Sequence, residues 1–330
     1  MKLFKFKKAA AVLMAAMMVF AAGCSRDPAS ESSDSSSVTT SSSTSSSKSS
    51  SSSKKPSSSQ DMSKPEIKVQ DNVSKVKDAQ KVNADVGGYL YIPNTTVDEP
   101  VLSAKNYATN QKFWDVYDVV NKRLNWKKEM DNSGVTGCLY LPKAAGLDSR
   151  DDLAYNTVIF GHNPGRMDPN VRYDSVTLAD LPDAMKFAQL YKYLDEDFAK
   201  KNPYIYFSTE NENYIYQVFA AYYTEAETTP KYYSSKLDAK DSLTVANEAV
   251  KRSLMTYKDV KLSEGDKFLT LSTCTYAFTE GMTPAQALAA AEKHRFVIMA
   301  KLLPANARGD ETANVSKNPS PKMPEGTEKK

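Results

Sequence analysis

Short stretches rich in aromatic and β-branched residues recur through most of the chain, and such residues favour β-strands. The stretches predicted to be strands are residues 89–92, 135–141, 157–160, 204–208, 214–223, 268–272 and 296–302. Apolar residues recur at helical spacing in residues 187–198 and 243–254, and the amphipathic segment 64–84 is predicted to be helical beyond Pro65. Many short strands with few helices predict a mainly β fold: a closed β-barrel decorated by helices, including an N-terminal one.

The first residues read as an export signal, because Lys2, Lys5, Lys7 and Lys8 precede an apolar run that ends at residue 23. That run is shorter than the roughly 20 residues of a membrane span, so residues 1–23 are predicted to be a signal peptide. Small residues precede Cys24. This pattern resembles the lipobox of bacterial lipoproteins and predicts lipidation at Cys24, which would place the protein on the extracytoplasmic face of the membrane. Ordinary cleavage and an uncleaved anchor are the alternatives.

Serine dominates residues 24–63, and a stretch of that composition has too little apolar surface to bury, so we expect a disordered linker. A flexible coil of about forty residues has an end-to-end distance of roughly 35 Å, which suits a tether between membrane and cell wall. A linker without specific role is the alternative. The polar, proline-containing tail, residues 304–330, is also expected to be disordered. The intervening residues, 64–303, are of a length that suits one domain.

Charge and cysteine content exclude several classes of function. The formal net charge is only +3, and acidic residues are interleaved with basic ones, so no nucleic-acid partner is predicted. The three cysteines are Cys24, Cys138 and Cys274. None has metal-ligand spacing, so no metal, cofactor or disulfide framework is predicted. Cys138 lies within a predicted strand, where a free cysteine usually fills the core.

Two predicted strands end at residues suited to nucleophilic catalysis. Cys274 ends the apolar stretch that starts at Phe268, where a thiolate can be reached while its backbone stays rigid. A buried small hydrophobe is the alternative reading. His162 follows Gly161 at the end of another strand, and a nucleophilic cysteine needs an imidazole to move protons.

An arginine is the third candidate catalytic residue. Arg295 opens the strand predicted after the cysteine strand, and its guanidinium could hold the oxyanion of a tetrahedral intermediate. Arg252 and Arg308 are the alternatives. Neither opens a strand expected to neighbour that of the cysteine. The other histidine, His294, is expected at the surface or the groove edge.

The ordered set His162, Cys274 and Arg295, each at a strand edge, resembles the sortase family. Class B sortases are most similar: residues 88–95 and 97–102 look like the first two strands of the family, and residues 137–140 follow in the expected order. The resemblance spans residues 64–303. It implies an eight-stranded barrel with a helix between the histidine strand and the strand at residues 214–223.

Two features depart from the class B pattern. The cysteine and the arginine are separated by a longer segment than in most relatives, residues 275–294. Within it, the alanine-rich run that starts at Pro284 predicts an inserted helix. Thr275 and Tyr276 also stand where many relatives have an acidic residue. We expect both departures to affect the substrate groove, so the sorting motif is left open.

The resemblance implies a cell-wall sorting transpeptidase. Such an enzyme cleaves a C-terminal sorting motif of a secreted protein after threonine, through a thioester on Cys274, with His162 moving protons and Arg295 holding the oxyanion. The acyl group then passes to an amine of a peptidoglycan precursor or cross-bridge. A hydrolytic cysteine peptidase, a pilin-polymerising sortase and a non-catalytic binding lipoprotein are the alternatives. Predicted substrate-binding residues are Ser272, Thr273 and Asn163, with local strand-end hydrogen bonding as the other reading.

Overall fold

The computed structural model describes residues 61–119, 124–130, 137–163 and 186–327. The predicted signal peptide, Cys24 and nearly all of the predicted serine-rich linker lie outside these residues. Within the described ranges, no helix is both long enough and apolar enough to cross a membrane.

Eight strands of the described chain close into a barrel, which confirms the predicted fold. The strands are β1 (Val86–Tyr91), β2 (Asp98–Ser103), β3 (Leu139–Leu141), β4 (Asn156–Phe160), β5 (Tyr204–Ser208), β6 (Asn213–Glu225), β8 (Phe268–Cys274) and β9 (His294–Leu302). Their order around the barrel is β1-β2-β3-β4-β8-β9-β6-β5. The pairs β2–β3 and β4–β8 are parallel, and the other neighbours are antiparallel, including the β1–β5 pair that closes the barrel.

Two short strands and several helices decorate the barrel. Strands β7 (Met255–Tyr257) and β10 (Val315–Lys317) form a separate antiparallel pair. The α-helices are α1 (Val73–Val82), α2 (Asn110–Tyr117), α3 (Glu196–Lys201), α4 (Ala239–Arg252) and α5 (Pro284–Lys293), and 3₁₀ turns cover Ala104–Asn106 and Lys186–Leu194.

Side-chain alternation divides the core into an inner and an outer layer. Successive residues of a strand point to opposite faces, so Phe296 and Ile298 of β9 fill the barrel interior. Val297 and Met299 pack outside it in the cluster that includes Val245 of α4. Residues on the outer face of β8 and β9 therefore lie between the barrel and its covering elements.

The helix predicted over residues 187–198 is wrong in detail. The structure has the 3₁₀ turns Lys186–Leu194, a break at Asp195, and then α3. The Asp195 side chain accepts a hydrogen bond from the Phe198 N–H at 2.8 Å, which is an N-cap that starts a new helix. The N-terminal helix also begins later than Pro65, at Val73, because Ile67 instead donates to the Ala307 carbonyl.

The expected disorder of the tail after Pro304 is contradicted over residues 304–327. Val315 is only 3% exposed, and β10 pairs with β7. The Asn318 N–H donates to the Leu254 carbonyl at 2.9 Å, and its side-chain amide donates to the Ser253 carbonyl at 2.7 Å. A few long-range bonds order this polar segment, so the folded part of the chain extends beyond residue 303.

Candidate active site

The candidate histidine and cysteine lie at the same end of two neighbouring strands. Strand β4 pairs in parallel with β8, with Phe160 opposite Ser272. His162 and Cys274 therefore each follow this matched pair by two residues. The Gly161 N–H donates to the Ser272 carbonyl at 3.2 Å, which continues the pairing past the end of β4.

Arg295 lies directly across from the cysteine on the other side of β8. The antiparallel register of β8 and β9 pairs Cys274 with Arg295. Opposed residues in such a pair have Cα atoms about 4.5–5.5 Å apart and point to the same face. Cys274, the candidate nucleophile, thus lies on the central strand of three, with His162 after the end of one neighbouring strand and Arg295 on the other.

The three candidate catalytic residues line one surface pocket. Their exposed fractions are small, 8% for His162, 5% for Cys274 and 6% for Arg295. The other residues lining the pocket include Tyr117, Leu124, Cys138, Tyr140 and Phe160. Three ionisable residues that are nearly buried in one largely apolar pocket can interact with little screening by water.

Hydrogen bonds connect the backbone around the histidine to the backbone around the cysteine and to residue 187. The Asn163 amide donates to the Cys274 carbonyl at 3.1 Å, and the Thr273 hydroxyl donates to the Gly161 carbonyl at 2.8 Å. The His162 carbonyl accepts from the Phe187 N–H at 3.4 Å. These bonds fix the histidine turn against the cysteine strand, which favours a constant separation of the two side chains.

The predicted substrate-binding residues have different surroundings. All three are buried, at 0% exposed for Asn163, 1% for Ser272 and 2% for Thr273, and of the three Ser272 and Thr273 line the pocket. The Ser272 hydroxyl lies 3.0 Å from the Tyr232 hydroxyl, and Thr273 and Asn163 make the backbone bonds described above. All three thus take part in strand-end hydrogen bonding, and their contact with substrate stays a prediction.

Gly161 is required by close packing. A Cβ atom at this position would lie 2.5 Å from the Phe187 ring and 2.6 Å from a methyl group of Leu139. Real Cβ atoms essentially never approach other heavy atoms so closely, so the histidine turn can pass between these side chains only with a glycine. The packing of Phe187 and Leu139 therefore helps to set where His162 lies.

Thr275 and Tyr276 belong to the core rather than to the groove surface. They are 1% and 7% exposed, and Tyr276 is part of the barrel core cluster. The Tyr191 hydroxyl donates to the Thr275 hydroxyl at 2.7 Å, and the Tyr191 ring stacks on Phe296 at 4.6 Å. This departure from the class B pattern thus supports the backbone after the nucleophile instead of facing substrate.

Of the three candidate arginines, Arg295 is the one that lines the pocket with Cys274. Its Nη1 atom donates to the carbonyls of Ala291 at 3.3 Å, Glu292 at 3.0 Å and His294 at 3.0 Å. Arg252 instead pairs with the Glu225 carboxylate at 2.9 Å. Arg308 donates to a backbone carbonyl of the N-terminal segment at 2.8 Å.

His294 and Cys138 lie near the candidate site. The half-buried His294 has its Nδ1 3.0 Å from the Ala290 carbonyl and its ring against Phe278, and burial lowers its pKa. Cys138 is half-buried and packs at the edge of the cluster around Phe113. Burial, with a further contribution from the charge of Glu99, raises the pKa of its thiol to about 12. A raised pKa favours the thiol form, which is less nucleophilic than the thiolate.

Two features of the pocket were not predicted from the sequence: helix α2, which forms one wall, and Tyr191, which supports the backbone after the cysteine. Helix α2 places Tyr117 in the pocket, and its signals are the Thr109 N-cap and the buried pair Phe113 and Tyr117, four residues apart. No local signal reveals the role of Tyr191, because its partner Thr275 is 84 residues away in sequence.

Comparison with known proteins finds relatives in sequence and in fold. The chain matches no protein-family model. It is 29% identical over 202 residues to the sortase B of Listeria monocytogenes, covering 61% of this chain and 67% of that protein. It is 26% identical over 204 residues to the sortase B of Staphylococcus aureus, covering 61% and 68%. A solved sortase B structure from Clostridium perfringens shares the fold, with a TM-score of 0.50, 21% identity, and coverage of 71% of this chain and 88% of that one.

Proposed function

We propose that this chain, a class B sortase and hence a cysteine transpeptidase, attaches secreted proteins to the cell wall. The register of three adjacent strands carries this proposal, because it brings Cys274 between His162 and Arg295 in one pocket. The substrate is a protein with a C-terminal sorting motif that contains threonine. The acyl acceptor is an amine of a peptidoglycan precursor or cross-bridge.

The first half-reaction forms an acyl-enzyme. The Cys274 thiolate attacks the threonine carbonyl, and the tetrahedral intermediate carries a negative charge that the Arg295 guanidinium stabilises. The intermediate collapses as the C–N bond breaks, and His162 donates a proton to the departing amine. The products are a thioester on Cys274 and a released C-terminal peptide.

The second half-reaction transfers the acyl group. The incoming amine attacks the thioester carbonyl and loses a proton to His162, which was left neutral by the first step. Arg295 again faces the oxyanion, and the C–S bond breaks to regenerate the Cys274 thiolate. The product is an amide between the threonine carbonyl and the acceptor amine. Ser272 and Thr273, which line the pocket, are the residues we propose to contact the sorting motif.

The N-terminal residues support a proposal for location. A basic start and a short apolar run up to residue 23, followed by Cys24, fit export and lipidation at that cysteine. The serine-rich residues 24–63 would then serve as a tether that lets the catalytic domain reach the wall. A lipid-labelling experiment with the Cys24→Ala variant tests the anchor: label should be incorporated by the natural chain and not by the variant.

Product analysis tests the proposed reaction. The protein is incubated with a library of threonine-containing pentapeptides and triglycine, and products are identified by mass spectrometry. We expect amide products in which glycine is joined to the threonine carbonyl, and we expect none from the Cys274→Ala variant. Amide formation with no dependence on threonine would contradict the predicted cleavage position.

The same experiment separates the alternatives. A hydrolytic cysteine peptidase releases the free acid whether or not triglycine is present. A pilin-polymerising sortase prefers a lysine side chain as the amine, so a lysine-containing pilin peptide in place of triglycine identifies that activity. A non-catalytic binding lipoprotein gives neither the amide nor the acid.

A further inference from the structure

The helix inserted between the candidate nucleophile and the arginine is capped at its start. Helix α5 begins after Thr283, whose hydroxyl accepts from the Gln286 N–H at 3.4 Å. The Gln286 side chain in turn accepts from the Thr283 N–H at 2.9 Å, which completes a capping box. With Pro284 in the first turn and a run of alanines behind it, α5 is a helix that its own sequence stabilises.

All four carbonyls at the other end of α5 have partners, although the last four carbonyls of a helix lack partners within it. The Ala290 carbonyl oxygen lies 3.0 Å from His294 Nδ1. The Ala291 and Glu292 carbonyls both accept from Arg295 Nη1, at 3.3 and 3.0 Å. The last carbonyl, that of Lys293, accepts from the Ala226 N–H of the segment after β6 at 2.7 Å. The C-terminus of α5 is thus fastened to the barrel and to the arginine of the pocket.

We propose that α5 is a positioning element for Arg295, in which the C-terminal carbonyls of the helix hold the guanidinium in the pocket beside Cys274. The proposal rests on the proposed function, in which Arg295 stabilises the oxyanion. A guanidinium carries five N–H donors in a rigid fork, and Nη1 of Arg295 donates to the Ala291 and Glu292 carbonyls of α5. One arm of the fork is therefore anchored to the helix, and this fixes the direction of the whole planar group.

Two physical effects favour this arrangement. The C-terminus of a helix carries a partial negative charge, which attracts a guanidinium. A long arginine side chain also has considerable rotamer freedom, and catalysis gains when a charged donor is already oriented before the transition state forms. In this chain the longer segment between Cys274 and Arg295 thus has a role in catalysis, since the helix that it contains orients the catalytic arginine.

Two variants weaken α5, one at its N-terminus, which does not line the pocket, and one within the helix. Thr283→Ala removes the exposed N-cap of α5 and so weakens the helix without touching its C-terminal carbonyls. Asp238→Ala is the matched control, because it removes the exposed N-cap of α4, which packs on the outer cluster. Ala289→Pro, at an exposed position within α5, breaks the helix more severely. The kcat and KM of amide formation are measured for each variant, alone and combined with Arg295→Ala.

We expect kcat to fall by about threefold or more in Thr283→Ala and by about 10² in Ala289→Pro and in Arg295→Ala, on the scale of a lost oxyanion donor. KM should change little, and Asp238→Ala should keep normal turnover. In the Arg295→Ala background, Thr283→Ala and Ala289→Pro should add no further loss, since a helix that acts through the arginine has nothing left to position. Full losses in that background, or normal turnover in Ala289→Pro or in Arg295→Ala, would overturn the proposal.

A second readout does not depend on turnover, so it separates this proposal from the proposed function. A nearby guanidinium favours the thiolate form of a cysteine. The pH profile of Cys274 alkylation by iodoacetamide should therefore move to higher pH in Arg295→Ala and in Ala289→Pro, and it should not move in Asp238→Ala. This shift is expected even if no amide product is found with any peptide. A profile that moves in Arg295→Ala but not in Ala289→Pro would show that the helix does not hold the arginine.

Discussion

Several single residues around the pocket fix the position of the backbone that carries the candidate catalytic residues. Asn163 and Thr273 bond the histidine turn to the cysteine strand, and Gly161 lets that turn pass between Phe187 and Leu139. The sequence alone predicted Cys274, His162 and Arg295 because each lies at a strand end, which is a local pattern. The partners that hold them come from distant parts of the chain, so no local pattern could reveal them.

Gly161→Ala is expected to disturb both folding and activity. The new methyl group would overlap Phe187 and Leu139, and overpacking of this kind typically costs about 1–3 kcal/mol. Displacement of the turn also moves His162, so kcat should fall along with the free energy of unfolding. Urea denaturation and turnover measure the two effects.

Gly265→Ala provides the matched control for this prediction. Gly265 has a φ of +90°, and nothing lies within 4 Å of its would-be Cβ. The substitution strains the backbone away from the pocket, so it should lower stability and leave kcat unchanged. Normal kcat in Gly161→Ala would show that packing at this glycine does not set the position of His162.

Among the secondary-structure elements, the best sequence prediction is α5, found at Pro284–Lys293 as expected. Its proline, capping box and alanines are local signals, and they suffice. The helix predicted over residues 187–198 failed because Asp195 caps a new helix inside the apolar periodicity. Helix α2 was missed because it has only eight residues, although it forms a wall of the pocket through Tyr117.

Helix α2 is held in place by a carboxylate. Asp85 accepts hydrogen bonds from the Tyr107 and Tyr117 hydroxyls, both at 2.6 Å, and lies 3.3 Å from the Lys128 ammonium. Burial raises the pKa of Asp85, but the hydrogen bonds and the lysine outweigh burial and hold the pKa below its ordinary value of 3.8. The ionised form is thus the one that the fold stabilises.

Asp85→Asn is expected to lower the free energy of unfolding at pH 7 by about 1.5–3 kcal/mol, as for loss of hydrogen bonds to a charged group. Because the folded pKa lies below the unfolded one, the contribution of Asp85 is complete above pH 3.8 and is lost as the pH falls through the folded pKa. The variant should therefore show a weaker acid dependence of unfolding in that range. Asp98→Asn, which breaks an exposed pair with Lys75, is the control and should cost less than about 1 kcal/mol. Equal losses of unfolding free energy in Asp85→Asn and Asp98→Asn would show that the hydrogen bonds of Asp85 do not stabilise the fold.

The whole molecule depends on pairings that are distant in sequence. The barrel brings β4, β8 and β9 side by side, and the β4–β8 register pairs residues that are 112 positions apart in sequence, such as Asn156 and Phe268. Strand patterns predicted that a barrel forms, and the family resemblance supplied the strand number. The ordered tail could not be predicted, because its polar composition hides the few residues that anchor it, such as Val315.

Val315→Asp tests whether the tail is part of the folded unit. Val315 is 3% exposed and lies opposite Tyr257 in the β10–β7 pair, so a carboxylate there would be buried without a partner. We expect the free energy of unfolding to fall by more than about 2 kcal/mol in a denaturant titration. Lys317→Ala, at an exposed position of the same strand, should change it by less than about 0.5 kcal/mol. A Val315→Asp variant as stable as Lys317→Ala would show that the tail contributes nothing to stability.

Trapping the acyl-enzyme tests whether Cys274 is the nucleophile of an acyl-transfer reaction. A threonine-containing peptide identified in the library screen is added without an amine, the reaction is quenched in acid, and the protein is analysed by intact mass spectrometry and peptide mapping. We expect a mass increase equal to the acyl fragment ending in threonine. This fragment should lie on the Cys274 peptide and not on the Cys138 peptide, and it should be released when triglycine is added. An acyl fragment on Cys138, or an undiminished acyl-enzyme in Cys274→Ala, would contradict the assignment of Cys274 as the nucleophile.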